Sequence, residues 1–531
     1  MKLRKFISSL AGVSALAVAT PAMADWKTVE TENFVYYSEG KTEDIKQNAV
    51  RLEMFDRLVR ALTNNQREGT ASKLRIFELK DIDTLQRLSG AYGAGGYYTN
   101  NDMGPYVVVF REDVRSSGTM FKTNQNSVRW GPEVRQHEYL HHYMYQFFNA
   151  NYPSWYSEGF AEYYGTMAFP EENVVEIGHA PYGRMNAIKR GGWLPAEELL
   201  TARSYGEVSN LGALYAQGWL LTHMAARNPE RGKQLADYLN RLVAGEDYGD
   251  AARAAFGDLD KLDKELKQHS KDIQAVRLSL KPMDVGAVEV TEMSEFESDM
   301  FNYIMRVNVG IRDNDIGRIR SHVREVRQAN PTNLLGLEAQ ARLALRAEDY
   351  DDVLTQAEAF LAQDPNSAMG KMFKGVALVM KVDKNAPANA YDEGRDLLAQ
   401  AANADPSNPE PLIYFYRSYL LGDGIPPADA QNALMRAHQL LPGHRQLRMY
   451  AARDFEWRGM IDEAIFMVNP LAFGSFDGDE RAQRRRDEAI AEAVEKYGRM
   501  VVEDTPKEML DRLVAKRDGT WNDETQTIAS K

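Results

Sequence analysis

The sequence predicts an α+β domain, a small sheet with helices, followed by an all-α domain of repeated helices. Three observations carry this. Runs rich in β-branched and aromatic residues fall before residue 111. From Pro132 to about residue 280 the apolar spacing is almost wholly helical. Beyond residue 299, prolines recur with a period near 34. A length of 531 residues fits roughly three domains of ordinary size, and 44% apolar with 27% charged residues is a globular composition.

The chain opens on Lys2, Arg4 and Lys5, then a largely apolar stretch over residues 6–18, then Pro21-Ala22-Met23-Ala24. A basic start, a short apolar run and small residues at A-x-A spacing are the marks of a secretory signal peptide cut after Ala24. The apolar run is shorter than the roughly 20 residues a bilayer span needs. Export as a soluble protein, most simply to a bacterial periplasm, is the expectation.

Strands are expected at Asn33-Phe34-Val35-Tyr36-Tyr37, over residues 73–79, and at Tyr106-Val107-Val108-Val109-Phe110. The last reads as an ordinary buried strand, with pairing to an extended substrate as the alternative. Between the first two, Ile45, Val50, Leu52, Phe55, Leu58 and Leu62 recur at near-helical spacing, so residues 44–62 form a helix. Residues 281–299, with Pro282 and Gly286, are the candidate linker, so that residues 25–280 would hold a self-contained site.

After the linker, Pro331, Pro365, Pro406 and Pro442 are spaced 34, 41 and 36 apart over residues 300–470. Small or apolar residues such as Leu337, Ala341, Val353, Ala357 and Phe360 stand where paired helices would touch. A degenerate further unit runs from Gly459 to Ile465. These units resemble tetratricopeptide repeats in period and closing proline, with a generic helical bundle as the alternative. Such a scaffold suits a protein partner. Residues 471–531 are expected to be a helix and a polar tail, polar from Asp518 onward except for Trp521 and Ile528.

The chemistry is concentrated in Gly131-Pro132-Glu133-Val134-Arg135-Gln136-His137-Glu138-Tyr139-Leu140-His141-His142. Pro132 and Glu133 suit a helix start. His137 and His141, four apart, share a face about 6 Å along the axis. Two core histidines are the plain alternative, but Glu138 completes H-E-x-x-H. In that pattern two imidazoles aim at one Zn2+ ion, and the carboxylate takes a proton from its water.

A second segment, Pro153-Ser154-Trp155-Tyr156-Ser157-Glu158-Gly159-Phe160-Ala161-Glu162, puts Glu158 and Glu162 on one face of a helix that Ser154 can cap. Two carboxylates among aromatic rings repel each other and resist desolvation unless a cation joins them. Glu158 is therefore the expected third ligand and Glu162 the acceptor that holds a histidine ring. His142, offset by about 100° from His141, is expected to face solvent or support a ligand.

At these residues the chain resembles the gluzincin metallopeptidases, of the aminopeptidase N and thermolysin type, in which H-E-x-x-H is followed by a glutamate ligand on a second helix. Trp155, Glu158, Gly159 and Ala161 are similar to the W-x-x-E-G-x-A pattern of the aminopeptidase branch. The resemblance spans roughly residues 26–280 and implies a zincin-like catalytic domain. It also implies an oxyanion-stabilising role for Tyr215 in Tyr215-Ala216-Gln217-Gly218, where the aminopeptidases carry Tyr-x-Lys-Gly; a helix-packing tyrosine is the alternative. The G-x-M-E-N sequence that recognises a free amino terminus is absent, and residues 90–96 form only a glycine-rich turn, so cleavage within chains is favoured.

The expected function is an exported zinc metallopeptidase. The alternatives are a periplasmic binding or assembly adaptor whose zinc site is structural or vestigial, and a zinc hydrolase of a non-peptide amide. Net charge is −13, and the leader contributes only positive groups. Nucleic acid and anionic membranes are poor partners for such a chain. With no cysteine present, thiol chemistry, iron–sulfur centres and Cys-bound zinc are excluded.

Overall fold

The computed structural model describes residues 26–69, 71–90, 94–111, 130–148, 152–190, 192–383, 386–472 and 480–521. The expected signal peptide, its cleavage site, part of the residue 90–96 turn and the last ten residues of the tail lie outside them. From the N terminus run β1 (Lys27–Glu30), β2 (Phe34–Ser38), α1 (Thr42–Leu62), β3 (Leu74–Leu79), α2 (Ile82–Ser89), β4 (Gly96–Asn101) and β5 (Gly104–Phe110). The three expected strands and the expected helix are all present, within two residues of their anticipated bounds.

A six-stranded sheet has the order β4-β5-β3-β2-β1-β9, where β9 is Val290–Glu292. The pairs β2–β3 and β3–β5 are parallel, whereas β4–β5, β1–β2 and β1–β9 are antiparallel. Because β5 lies between β3 and β4, neither of its edges is open to an added strand. Its uninterrupted apolar run is the signature of a strand covered on both faces. Val107 and Val109 face one core, with Leu74, Ile76, Phe34 and Tyr36, while Tyr106 and Val108 face another, with Phe77 and Leu79.

The first core is closed by α1 and by α3 (Trp130–Phe147), α4 (Ser154–Gly165) and α7 (Leu211–Arg227). Arg135 ties α3 to the sheet, reaching Glu78 of β3 at 3.2 Å and the Tyr36 hydroxyl at 2.5 Å. Between α4 and α7 come β6 (Ala168–Glu171), β7 (Val174–Ile177), α5 (Tyr182–Lys189) and α6 (Ala196–Thr201). After α7 follow α8 (Pro229–Val243), α9 (Tyr248–Phe256), α10 (Leu259–His269) and β8 (Val276–Ser279).

The expectation of an almost wholly helical stretch over residues 132–280 is thus corrected by a second sheet, β6-β7-β8. Val175 and Ile177 alternate inward, and Asn173 turns the hairpin with φ of 58°, a conformation asparagine tolerates. Each of these strands is four residues long, and β7 pairs with β8 about a hundred residues away. That leaves little local pattern to read.

The linker expectation is also corrected. Residues 290–292 are β9, which pairs with β1 over Lys27–Glu292, Thr28–Thr291 and Val29–Val290. The helix that follows, α11 (Glu295–Val309), carries Phe301 and Met305 onto the second face of the sheet. There Phe301 stacks on Tyr37 at 4.5 Å between centroids. The Trp26 backbone N–H donates to the Ser298 hydroxyl at 2.9 Å. The segment is therefore part of the sheet's support.

Beyond it lie α12 (Asp313–Arg327), α13 (Leu334–Arg346), α14 (Tyr350–Gln363), α15 (Ala368–Met380), α16 (Asp392–Ala404), α17 (Glu410–Leu420), α18 (Ala428–Leu440), α19 (Arg445–Trp457) and α20 (Ile461–Val468). The four prolines stand in alternate loops: Pro331 after α12, Pro365 after α14, Pro406 after α16 and Pro442 after α18. Each closes the second helix of a pair. Leu337, Ala341, Val353, Ala357 and Phe360 share one buried cluster, as their spacing implied. Across the stack, Arg342 of α13 meets Glu410 of α17 through bonds of 3.1 to 3.2 Å, both side chains about 5% exposed. The C-terminal region holds two helices rather than one, α21 (Glu480–Tyr497) and α22 (Pro506–Arg517). The latter opens with a Thr505–Glu508 capping box and buries Met509 and Leu513.

A fragment ending at residue 285 loses β9 and α11, leaving Phe77, Tyr106 and Val108 on a sheet face that only α2, through Leu85 and Leu88, still covers. It should bind a hydrophobic dye strongly and lack a cooperative urea transition. A monomeric fragment that unfolds cooperatively would show that the sheet stands without them.

Candidate metal centre

Three helices build the site. Helix α3 begins at Trp130, two residues ahead of Pro132, and presents His137 and His141 one turn apart. Helix α4 crosses beside it with Glu158 and Glu162. Its N-cap is Pro153, so Ser154 is the first helical residue and not the cap; its buried hydroxyl has no hydrogen-bond partner among the described residues.

Helix α7 then packs on α4 at unusually short range. A Cβ on Gly159 would fall 2.4 Å from the Gly218 carbonyl, and one on Gly218 would fall 2.3 Å from the Trp155 carbonyl oxygen. Only paired glycines permit this backbone contact. It sets Tyr215, one turn before Gly218, beside Glu158.

At the centre, Glu158 Oε2 lies 3.2 Å from His137 Nε2 and 3.6 Å from His141 Nε2, and the two imidazole nitrogens are 3.1 Å apart. These three side chains form the one His/Asp/Glu group among the described residues whose donor atoms could hold a metal ion. Oε2 is buried, and the two imidazole nitrogens are the groups that face it. An acceptor buried in this way is costly unless something positive meets it. Two neutral imidazoles and a carboxylate are the donor set zinc takes in catalytic sites, so the residues fit the ion.

The electrostatics point the same way. Burial raises the Glu138 carboxyl, against the opposing pull of the two histidines and the Tyr98 backbone N–H. Burial alone would lower His137, but Glu158, Glu162 and Glu138 outweigh it and raise the imidazole to about 9. Burial also works to raise Glu158, yet His141 and His137 hold it well below the ordinary carboxylate range. A proton on the histidines thus does in part what a cation would do.

Glu162 is brought to the far side of the His137 ring, its Oε1 3.8 Å from Nδ1, but it accepts its hydrogen bond from Arg184 Nε at 2.7 Å. That guanidinium in turn covers the Tyr215 ring at 4.2 Å. His137, Glu138, Glu162, Arg184 and Tyr215 line a cavity of about 480 Å3, together with Gly96 of β4. Gln217, standing where the aminopeptidases carry lysine, is fully buried and exchanges two hydrogen bonds with the Leu194 backbone, at 2.6 and 2.7 Å.

For His142 the solvent-facing expectation is corrected, while it stays outside the His137–His141–Glu158 group as expected. It is buried, with Nδ1 3.3 Å from the Tyr98 hydroxyl, and burial lowers it to about 3. Sequence reasoning missed Tyr205, whose hydroxyl donates to Glu158 Oε1 at 2.5 Å from a short turn after α6. No periodicity marks that residue; only the fold brings it to Glu158.

No family model matches the sequence, and no curated protein does. Among solved structures, a thermophilic TPR protein of Thermus thermophilus is similar, with 18% identity over 37% of this chain and 99% of its own, at a TM-score of 0.27.

Gly159→Ala tests the helix crossing. The added methyl forces α4 and α7 apart and should cost about 1–3 kcal/mol in urea denaturation. An unchanged midpoint would mean that the crossing yields without strain.

Proposed function

We propose that the protein is a zinc-dependent metallopeptidase, its zincin-like domain joined to a tetratricopeptide-like stack that holds a substrate or partner protein. The observation that carries the proposal is the convergence of His137, His141 and the buried Oε2 of Glu158 on one point, beside a cavity that also exposes Glu138. His137, His141 and Glu158 would hold one Zn2+ ion per chain. When bound, the ion supplies Lewis acidity toward a water molecule and a peptide carbonyl.

The remaining work belongs to the chain. Glu138 takes the proton of the attacking water and returns it to the leaving amine. Burial, which raises its carboxyl, brings its basicity toward the working range. The Tyr215 hydroxyl, held neutral by burial and by the nearby Glu158 charge, is the donor for the developing oxyanion. Tyr205 occupies Oε1 of Glu158 and leaves Oε2 for the cation. Glu162 adds negative charge beside the His137 ring, and Arg184 fixes Glu162.

The N-terminal sequence supports export, most simply to a periplasm. No helix among the described residues is long and apolar enough to cross a membrane. The adaptor alternative leaves Glu138 unexplained, since a structural zinc site needs no such base.

Zinc binding must displace the proton that His137 holds up to about 9. The folded metal-free site therefore favours the protonated form below that pH, and zinc affinity should rise about tenfold per pH unit from 6 to 8 and level off only above about 9. Competition with a chromophoric chelator reads this directly. Glu158→Ala should remove most of the bound zinc, and retention of stoichiometric metal would overturn the ligand assignment.

Glu138→Gln keeps the size and most of the polarity of the side chain but cannot accept the proton. It should fold and bind zinc as the parent does while losing roughly 10²–10⁴-fold in turnover on a peptide library. Parental turnover would rule out the mechanism.

A further inference from the structure

The two halves of the molecule meet at the tip of the β4–β5 hairpin. Asp102 sits there, just past the closing pair Asn101–Gly104. Both oxygens of its carboxylate meet the guanidinium of Arg417 on α17, Oδ2 with Nη1 and Oδ1 with Nη2, the latter at 3.1 Å. His444, the N-cap residue of α19, accepts the Leu447 N–H at Nδ1, so its Nε2 carries the proton and donates to Asp102 Oδ1 at 3.1 Å. The Arg417 and His444 side chains are 12% and 8% exposed. A fork-on-fork pair shielded from water in this way is rigid and directional.

The loop before His444 adds a second contact. A Cβ on Gly443 would fall 2.8 Å from Asn100 Nδ2, 2.9 Å from the Tyr98 hydroxyl and 3.1 Å from Tyr145 Cβ. The helical stack therefore presses on β4 as well as gripping its end.

The other end of β4 belongs to the metal centre. Gly96 lines the cavity, and a Cβ there would fall 2.8 Å from Val134 Cγ1 of α3. Between the two ends, the Tyr98 backbone N–H acts on the Glu138 carboxylate, and the Tyr98 hydroxyl meets His142 Nδ1. As the edge strand, β4 is paired with a strand on one side only among the described residues, β5. Such strands open more readily than central ones.

We propose that Asp102, Arg417 and His444 are positioning residues: the helical stack clamps the hairpin tip and thereby fixes β4 against α3, so that the Tyr98 backbone meets Glu138. The role given to Glu138 rests on the function proposed above. The clamp itself is a claim about β4 and holds with or without a substrate.

The test uses the full-length, zinc-loaded protein with Asp102→Asn, Arg417→Gln, the double variant, and Gly443→Val, a steric wedge that leaves the ion pair intact. Hydrogen–deuterium exchange over residues 96–101, measured without substrate, should accelerate about tenfold in each single variant. The Asp102–Arg417 double should be no worse than either single, as residues acting through one contact are. Zinc stoichiometry should not change. On a cleavable peptide, kcat should fall about tenfold to a hundredfold with KM within about twofold, as misplacement of a reacting group does.

Unchanged β4 exchange in Arg417→Gln and Gly443→Val overturns the clamp, and a risen KM with parental kcat overturns the positioning of Glu138 by it. Should Arg417→Gln fail to fold, Gly443→Val alone decides between these outcomes. A parent protein that cleaves no peptide, together with accelerated β4 exchange in the variants, upholds the clamp and overturns the peptidase proposal instead.

Discussion

The contact of α4 with α7 through Gly159 and Gly218 governs the geometry of the whole centre. Two helices normally pack with axes 8–10 Å apart, kept there by side chains at the crossing. Here the crossing has none, and each glycine lies against the other helix's backbone. Everything that surrounds Glu158 follows from that distance. Tyr215 comes within reach of the carboxylate, and Trp155 and Trp219, both fully buried, fill the space around the crossing. Glu158 is forced deep into a region where an ionised carboxylate can persist only because α3 delivers two imidazoles to it.

This explains why the His/Glu cluster was legible in the sequence and its support was not. His137, Glu138, His141, Glu158 and Glu162 are grouped by helical spacing, which a linear pattern records. The closing prolines are legible for the same reason, since each marks the end of a local helix pair. The residue-level pattern of β2, β3 and β5 also survives, because their apolar runs are dictated by burial on both faces.

What the sequence hides is pairing between distant segments. Tyr205 reaches Glu158 across 47 residues, Asp102 reaches Arg417 across 315, and β9 reaches β1 across more than 250. None of these leaves a periodic trace. Gln217 shows a subtler limit. Its amide is spent on the Leu194 backbone, a contact that no spacing in the sequence announces. The solvent-facing half of the His142 expectation failed for a related reason: helical offset tells which way a side chain points, but not that β4 waits there with Tyr98.

The late position of β9 bears on how the molecule assembles. Strand β1 leaves the ribosome early, yet the strand that completes its outer edge follows some 260 residues later, an interval of roughly 15–50 s at ordinary rates of synthesis. Throughout that time the outer edge of β1 offers free backbone groups, and the face destined for Phe301 stays wet. Edges of this kind invite pairing with other chains. The nascent chain therefore passes through a prolonged stage with an open sheet, and a holding chaperone acting on the first half of the chain would have its greatest effect before Val290 emerges.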